Sequence, residues 1–232
     1  MSERLEKLRG VKRLPIFPLP LVLLPNEMLP LHIFEDRYRE MLDDISHTGQ
    51  MFGITLFEPN EPFMERPALD TVGCVAEVRD TERLDDGRSN IVVLGLVRYR
   101  LLGYAETSSG YLMGEVEFFE DEPQDAAELE PLAEEVFKLF ERVAKAAFKL
   151  SGKRGAFPAI ARTDAESFSF LAAAAFSFEN ELKYRLLETT STIERLKRLR
   201  EVLIKAAGEL ESTADIRHAA ETNGHSKKKI DL

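Results

Sequence analysis

The chain has 232 residues, 44% of them hydrophobic, and a formal net charge of -10, which is typical of a globular protein with a packed core. The acidic balance disfavours a surface built to neutralise phosphates, because nucleic-acid-binding proteins carry clustered basic residues. The apolar stretch that follows residue 14 is too short and too rich in proline to span a bilayer. Together with the single cysteine, these features predict a cytoplasmic protein with no membrane partner.

The first organising feature is the segment from Leu14 to Ile33, which follows a polar lead-in at residues 1–13 and contains five prolines. Proline removes a backbone donor and disfavours helix in the residue before it, so this segment is predicted to be extended. Apolar residues then recur at helical spacing, at Tyr38, Met41, Leu42 and Ile45. A strand is therefore expected to lead directly into an amphipathic helix that Asp36 caps.

Four further apolar runs predict strands within a β-rich domain at residues 14–122. They lie at 51–57, 72–78, 91–100 and 111–119, and turn-forming residues separate them. Asp86 and Gly87 fall between the second and third runs and indicate a hairpin. One early helix and no regular βαβ repeat favour a mixed, mostly antiparallel sheet that closes toward a barrel.

Residues 123–211 have the pattern of a helical bundle. Apolar residues alternate by three and four from Leu129 to Leu150, which predicts a long amphipathic helix. Capping boxes at 163–166 and 191–194 predict helices over about 164–177 and 192–211. Residues 212–232 are polar and are expected to be a disordered tail. The predicted fold class is thus α+β, a β-rich domain followed by a helical bundle.

No catalytic or metal-binding constellation is recognisable in the sequence. The histidines lack partners at zinc-ligand spacing, no Walker A motif surrounds Gly152, and no serine lies in G-x-S-x-G. Cys74 lies inside an apolar strand and is predicted to be a core residue. The basic run from Arg195 to Arg200 is expected to cover the solvent side of a helix. We therefore predict no enzyme activity, no cofactor and no metal.

Several segments carry a resemblance to a known family. Residues 18–25 read PLPLVLLP, residues 29–38 read LPLHIFEDRY, residues 72–76 read VGCVA and residues 95–100 read GLVRYR. Together with Asp86-Gly87 and ELKYRLLE at 181–188, they resemble the N-terminal substrate-binding domain of Lon-type ATP-dependent proteases. The resemblance covers residues 12–210.

The resemblance implies a PUA-like pseudo-barrel with a helical bundle beside it, in a module that recruits unfolded or tagged polypeptides and contacts neighbouring subunits. In that family, separate ATPase and serine-lysine protease domains perform the catalysis, and this sequence is expected to contain neither. The motif residues are expected to be architectural: Pro18, Pro25, Pro30, Phe34, Glu35, Arg37, Tyr38, Gly73, Gly87, Gly95 and Arg98.

A specific ion pair is expected within this motif. Glu35 and Arg98 are charged groups beside apolar strands, and a buried charge requires a partner. The sequence therefore predicts that Glu35 pairs with Arg98 and holds the first helix against the sheet.

The leading functional hypothesis is a non-catalytic protein that captures unfolded or extended polypeptides. Its further partners would be an ATP-dependent protease or a chaperone, and self-association is an option. Phe57, Phe63 and Met64, around a proline-rich loop, are candidate peptide contacts, unless that loop packs onto the sheet as a lid.

Two other functional classes stay open. PUA-like folds also occur in RNA-binding proteins, although the acidic charge balance disfavours a nucleic-acid partner. A small hydrolase would require a pocket that brings His32 close to a nucleophile.

Overall fold

A computed structural model of the chain describes residues 3–58, 66–151, 157 and 159–223, with side chains described as far as residue 210. The chain divides into two compact units. Unit 1 is Met1–Pro123 together with Phe170–Ser191, and unit 2 is Gln124–Ser169 together with Thr192–Leu232. The first break falls close to the expected domain boundary, but residues 170–191 belong to the β-rich unit rather than to the helical one.

The described residues form six helices and six strands. The strands are β1 (Arg13–Leu19), β2 (Met28–Ile33), β3 (Met51–Leu56), β4 (Val72–Arg83), β5 (Ser89–Ala105) and β6 (Leu112–Phe119). The helices are α1 (Glu3–Lys7), α2 (Asp36–Ile45), α3 (Ala126–Leu150), α4 (Ala165–Ala174), α5 (Asn180–Glu188) and α6 (Thr192–Asn223).

All six strands lie in unit 1 and form one mixed sheet. Their order is β2-β5-β4-β3-β1-β6, and β6 also pairs with β5, so that the sheet closes into a barrel with β2 outside the ring. The pairing of β1 with β3 is parallel, and the other described pairings are antiparallel. The predicted α+β fold with a mixed, mostly antiparallel sheet is confirmed.

Tyr99 is the centre of the barrel core. It is fully buried, and its hydroxyl group shares a hydrogen bond with Thr55 Oγ1. A Cβ atom added at Gly53 or at Gly73 would come within 2.5 Å of the Tyr99 hydroxyl oxygen. The absence of side chains at these two positions is therefore what makes room for the aromatic ring on the neighbouring strands.

The connection between β1 and β2 folds back tightly onto β5. Asn26 N donates to Gly95 O at 2.8 Å, and Gly95 N donates to Glu27 O at 2.9 Å. A Cβ atom at Gly95 would lie 2.1 Å from the Leu24 carbonyl oxygen, which belongs to the backbone and cannot rotate away. Gly95 is thus required by the close approach of two chain segments.

The polar lead-in and α2 differ in detail from the sequence expectation. Leu8, which follows α1, is 2% exposed and joins the barrel core, so the lead-in contributes to packing. Glu35, not Asp36, occupies the N-cap position of α2, and its side chain makes no capping hydrogen bond. The helix itself spans the predicted residues and buries Tyr38, Met41 and Ile45.

Helix α5 was not predicted as a separate element, and its polar contacts explain why it belongs to unit 1. Lys183 Nζ pairs with Glu27 Oε1 at 2.9 Å, where both side chains are about 85% buried. The Tyr184 hydroxyl oxygen accepts a hydrogen bond from Val72 N at 3.0 Å. These contacts bind α5 to the β1–β2 connection and to the start of β4.

Unit 2 is built on two long helices that run parallel. Lys197 of α6 pairs with Glu128 of α3 at 2.8 Å, and Arg200 of α6 pairs with Glu135 of α3 at 3.3 Å. The two helices therefore run in the same direction. Leucines at three-four spacing on α6 are buried, namely Leu196, Leu199 and Leu203. Helix α6 continues to Asn223, beyond its expected end at 211. Residues 212–223 are therefore helical rather than disordered, and the rest of the expected tail lies outside the described residues.

Polar side chains accept hydrogen bonds from the free backbone N–H groups at the helix starts of unit 2. Asp164, rather than Thr163, caps α4, because its carboxylate accepts from Ser167 N at 2.8 Å. Burial raises the pKa of Asp164, but hydrogen bonds from Ser167 outweigh that effect and hold it below the ordinary value. Asp125 caps α3 by accepting from Ala127 N at 2.9 Å. The helix starts are close to those predicted, with one cap displaced by a residue.

The close approach at Gly95 leads to a stability prediction. Replacing Gly95 with Ala should lower the free energy of unfolding of unit 1 by about 3 kcal/mol, the upper end for an overpacked site, because backbone atoms must move. Gly103→Ala is the control on the same strand, since its nearest neighbour would be a side-chain atom at 3.4 Å. We expect that change to stay within about 0.5 kcal/mol of the parent.

Urea unfolding followed by tyrosine fluorescence measures this difference cleanly. The sequence has no tryptophan, and all five tyrosines fall within unit 1. Equal unfolding midpoints for the two variants would contradict the role assigned to Gly95.

Candidate functional site

The structure separates the expected Glu35–Arg98 pair, and that prediction is wrong. Glu35 Oε2 instead pairs with Arg37 at 2.6 Å on the surface. Arg98 Nη2 pairs with Asp121 Oδ1 at 2.5 Å, and the two side chains are 1% and 4% exposed. The physical reason is distance along the sheet: Asp121 follows β6, which is hydrogen-bonded to the part of β5 that carries Arg98.

The Arg98 guanidinium group joins three segments of unit 1. Besides Asp121, it donates to Leu187 O at 3.1 Å and to Thr189 O at 2.7 Å, at the end of α5. The rings of Phe119 and Phe170 flank it, with centroids 4.6 and 5.2 Å from the guanidinium carbon. This cluster is structural, because its polar groups are buried and already engaged.

The remaining motif residues have separate positions. Pro18 and Pro30 lie in β1 and β2, Pro25 lies in the connection between them, and Gly87 has a φ of 82° in the β4–β5 turn. Tyr38 is buried against Phe17, with ring centroids 3.9 Å apart, and burial raises its pKa. The Arg37 guanidinium carbon lies 4.8 Å from the centroid of the Tyr38 ring. Phe34, in contrast, is 60% exposed.

The candidate peptide contacts from the sequence are only partly covered by the structure. Phe57 is half-buried just after β3, and its backbone N–H donates to Leu19 O at 2.8 Å. Phe63 and Met64 lie outside the described residues. Leu69, at the far end of the same loop, is 55% exposed.

Within the described part of unit 1, one edge of strand β2 has no neighbouring strand. It pairs there with β5 alone. In an antiparallel pair, every second residue directs its backbone N–H and C=O groups toward the neighbouring strand. Because Glu27 O accepts from Gly95 N, these residues in β2 are Leu29, Leu31 and Ile33, which face β5. The open edge therefore falls to Met28, Pro30 and His32, and Pro30 has no N–H to offer to another strand.

One face of the sheet near β2 carries both exposed apolar and polar side chains. We call it the outer face and define it by side chains from β2, β5 and β4 that share one side of the sheet: Met28, Pro30, His32 and the following Phe34, then Asn90, Val92 and Leu94, then Asp80 and Glu82. Met28 and Phe34 are 54% and 60% exposed, which is high for large apolar side chains. A shallow groove of about 350 Å³ runs between β2 and β4 on this face.

A polar row crosses the outer face and orders its side chains. His32 Nδ1 lies 2.8 Å from Asn90 Oδ1, and Asn90 Nδ2 donates to Glu82 Oε2 at 2.9 Å. Because the ionised Glu82 can only accept, the amide must present its oxygen to His32, so His32 donates from Nδ1. The rings of His32 and Phe34 stack with centroids 6.1 Å apart. His32 itself is exposed.

The opposite face of the same strands is covered by α2. A cavity of about 400 Å³ lies between them, and its charged groups already have partners. Arg39 pairs with Asp36 at 2.9 Å and Arg83 pairs with Asp43 at 2.7 Å, while Glu40 accepts from Gly110 N. A ligand in this cavity would have to break these pairs, which makes it a weaker candidate site than the outer face.

The basic run on α6 is only partly solvent-facing. Lys197 is exposed, Arg198 and Arg200 are half-buried, and all three pair with glutamates. Arg195 is fully buried, contrary to the prediction, with its Nε atom donating to Ser169 Oγ at 2.7 Å. The Arg195 guanidinium group donates to hydroxyl oxygens of α4 and of Thr192, whereas the leucine pattern alone had predicted that it faces solvent.

Cys74 behaves as the sequence predicted. It is fully buried in β4, and burial raises the pKa of its thiol. Within the described residues, no group of three or more His, Cys, Asp or Glu side chains could hold a metal ion. Over that same part of the chain, no helix is both long enough and apolar enough to cross a membrane.

Sequence reasoning missed the outer face, because β2 is apolar at nearly every position. The alternation that distinguishes exposed from buried residues is hidden where Met28, Leu29, Pro30 and Leu31 follow one another. Pro30 was the available signal, since proline in a strand marks an edge. Asp80 and Glu82 lie beyond the predicted end of β4, which continues to Arg83.

Unit 1 is thus a closed barrel of five strands, with β2 paired to β5 outside the ring. The chain matches the family model described as "ATP-dependent protease La (LON) substrate-binding domain" over residues 13–205. The chain belongs to this family.

Curated relatives are Lon proteases. This chain is 24% identical to the Lon protease of Neorickettsia sennetsu, over 94% of this chain and 27% of the relative's length. It is 30% identical to that of Anaeromyxobacter dehalogenans over 82% of the chain and 23% of the relative. It thus spans about a quarter of the length of these proteins.

Solved structures show the same fold. The Lon N-terminal domain protein from Xanthomonas campestris aligns with a TM-score of 0.60 at 26% identity, over 82% of this chain and 97% of that one. The N-terminal domain of the Mycobacterium avium complex Lon protease aligns with a TM-score of 0.59 at 21% identity, over 85% and 98%.

The Arg98 cluster gives a second stability prediction. Arg98→Met should lower the free energy of unfolding of unit 1 by about 3–5 kcal/mol, because Asp121 would remain buried without its cation. The double variant Arg98→Met/Asp121→Asn should recover part of that loss, since no uncompensated charge remains. Arg100→Met, two residues along β5 and partly exposed, is the control and should cost about 1 kcal/mol or less.

Tyrosine fluorescence in urea again provides the measurement. If Arg98→Met and Arg100→Met unfolded at the same denaturant concentration, the buried cluster would not have the structural weight assigned to it.

Proposed function

We propose that this protein captures extended polypeptide segments on the outer face of unit 1. This proposal rests on two large exposed apolar side chains, Met28 and Phe34, at the two ends of the edge strand β2. Large apolar side chains exposed on one face are unfavourable in water, and in soluble proteins an exposed apolar patch commonly marks a binding site. Membership in a family of substrate-binding domains supports the same interpretation.

The segment would lie across the outer face rather than extend the sheet at the β2 edge. Edge addition depends on a row of paired backbone hydrogen bonds, and Pro30 removes the central donor from that row. The face offers the exposed Met28 and Pro30 and the half-buried Val92 for apolar contact, and a groove along which a chain can lie. Binding would therefore depend on side chains more than on backbone pairing.

The loop that contains Phe57, Phe63 and Met64 stays a second candidate surface, with Leu69 as its exposed described residue. It deserves a separate test because its large apolar side chains flank charged residues in the sequence. The two surfaces make different predictions for single-site variants.

The other classes have less support. An RNA-binding surface would require clustered cations, whereas the outer face carries Asp80 and Glu82. A hydrolase would need a nucleophile next to His32, but its hydrogen-bond partner among the described residues is the amide of Asn90. We therefore propose a non-catalytic role in which this domain holds a client for an ATP-dependent protease or a chaperone. The single buried cysteine supports a reducing compartment such as the cytoplasm.

Binding of a labelled unfolded protein tests this function. Fluorescein-labelled casein should bind the wild type, and Met28→Ser/Phe34→Ser should weaken binding by about 100-fold, since each truncation removes roughly 1.5 kcal/mol of apolar contact. The control is Ile204→Ser on α6, which is 55% exposed and should leave binding unchanged.

Leu69→Ser, Phe63→Ser and Met64→Ser test the loop in the same assay. Weaker binding in the loop variants, with unchanged binding in Met28→Ser/Phe34→Ser, would transfer the site to the loop. Binding that none of these variants alters would contradict capture on either surface.

A further inference from the structure

We infer, on the basis of the proposed function, that the outer face selects extended segments that carry lysine or arginine among aliphatic residues. The observation is a pair of carboxylates, Asp80 and Glu82, two positions apart on β4 and on the same side of the sheet as Val92 and Met28. Both are exposed, and they border the apolar groove along one side.

Neither carboxylate has a cationic partner among the described residues. Asp80 Oδ1 accepts from the backbone N–H of Thr81 at 2.9 Å, and Glu82 Oε2 accepts from Asn90 Nδ2 at 2.9 Å. The neighbouring bases on β4 are engaged elsewhere, since Arg79 pairs with Glu77 at 2.5 Å and Arg83 pairs with Asp43 at 2.7 Å. The groove therefore has two negative charges that no cation among residues 3–58, 66–151 and 159–210 neutralises.

The row from His32 to Glu82 gives one of these charges a fixed position. Asn90 stands opposite both His32 and Glu82 in the register of the three strands. Because its amide donates to Glu82 and accepts from His32, the carboxylate is held over the sheet rather than left to swing freely. One carboxylate oxygen, Oε1, remains available to a bound cation.

The distances suit a peptide that lies over β5. Neighbouring strands are about 4.8 Å apart, so a chain above Val92 is roughly one strand spacing from the carboxylates on β4. A lysine or arginine side chain spans that gap while its aliphatic stem covers the apolar floor. Residues that alternate with the cation would face Met28 and Phe34 on the other side.

The expected occupant is thus an extended segment with aliphatic and basic residues, not merely any apolar segment. Exposed ion pairs contribute little individually, about 2- to 5-fold in affinity for each pair. Two such pairs should give a preference of about tenfold over a neutral segment. The preference should shrink as salt is added, because exposed charges are screened.

Three matched peptides test the inference, each as long as β2, six residues, between polar flanks. They alternate leucine or valine with lysine, with serine or with glutamate. Wild-type protein should bind the lysine peptide about tenfold more tightly than the serine peptide and the glutamate peptide most weakly. In Asp80→Asn/Glu82→Gln, the lysine and serine peptides should bind equally, with the serine peptide unchanged from wild type.

Asp85→Asn is the matched control, because Asp85 is an exposed carboxylate in the turn beyond the outer face. It should keep the full lysine preference. Tyrosine fluorescence establishes that each variant is folded before binding is compared.

The outcomes separate this inference from the function on which it rests. Binding of the serine peptide with no lysine preference, or a preference that survives in Asp80→Asn/Glu82→Gln, overturns the charge selection and leaves capture intact. Failure of all three peptides to bind wild type overturns capture, and the selection with it.

Discussion

The structure of unit 1 depends most on a buried cation. Arg98 lies on a barrel strand, yet its guanidinium group binds a carboxylate after β6 and two carbonyl oxygens at the end of α5. A guanidinium group suits this position because its planar fork can donate to several acceptors at once. The carbonyls at a helix end otherwise lack partners. The hydrogen bonds of Arg98 thus offset the cost of its desolvation, because they satisfy groups that burial would leave unpaired. They also connect residues 170–191 to the barrel.

A second constraint is the close approach of backbone segments around β5. The Tyr99 ring occupies the space above Gly53 and Gly73, and the β1–β2 connection presses against Gly95. The lysine–glutamate pair between Lys183 and Glu27 then fixes that connection to α5. These contacts tie the start of β2 to β5 and α5, which supports the exposed face that follows. A binding surface gains from such support because less conformational freedom is lost when a ligand binds.

The sequence predicted the parts of the fold that rest on local patterns. Strands bounded by glycine and proline, the leucine spacing of α3 and the Asp86-Gly87 turn each have a signal within a few residues, and the structure contains them. Partner choice across the chain has no such signal. The Glu35–Arg98 pair was a reasonable match of charges, but register placed Asp121 nearer. Arg195 was assigned to solvent because its acceptor, Ser169, is distant in sequence. The outer face was hidden for a related reason, since exposure on β2 depends on which face α2 covers.

The asymmetry of the β2–β5–β4 region connects fold to function. Helix α2 covers one face, where Arg39 pairs with Asp36, Arg83 pairs with Asp43 and Glu40 accepts a hydrogen bond from Gly110 N. The other face keeps its apolar side chains in solvent and leaves Asp80 and Glu82 without a cation among the described residues. A surface selected for stability alone would cover such side chains or replace them with polar ones. Their exposure beside unneutralised carboxylates is what a site for a basic, aliphatic chain requires.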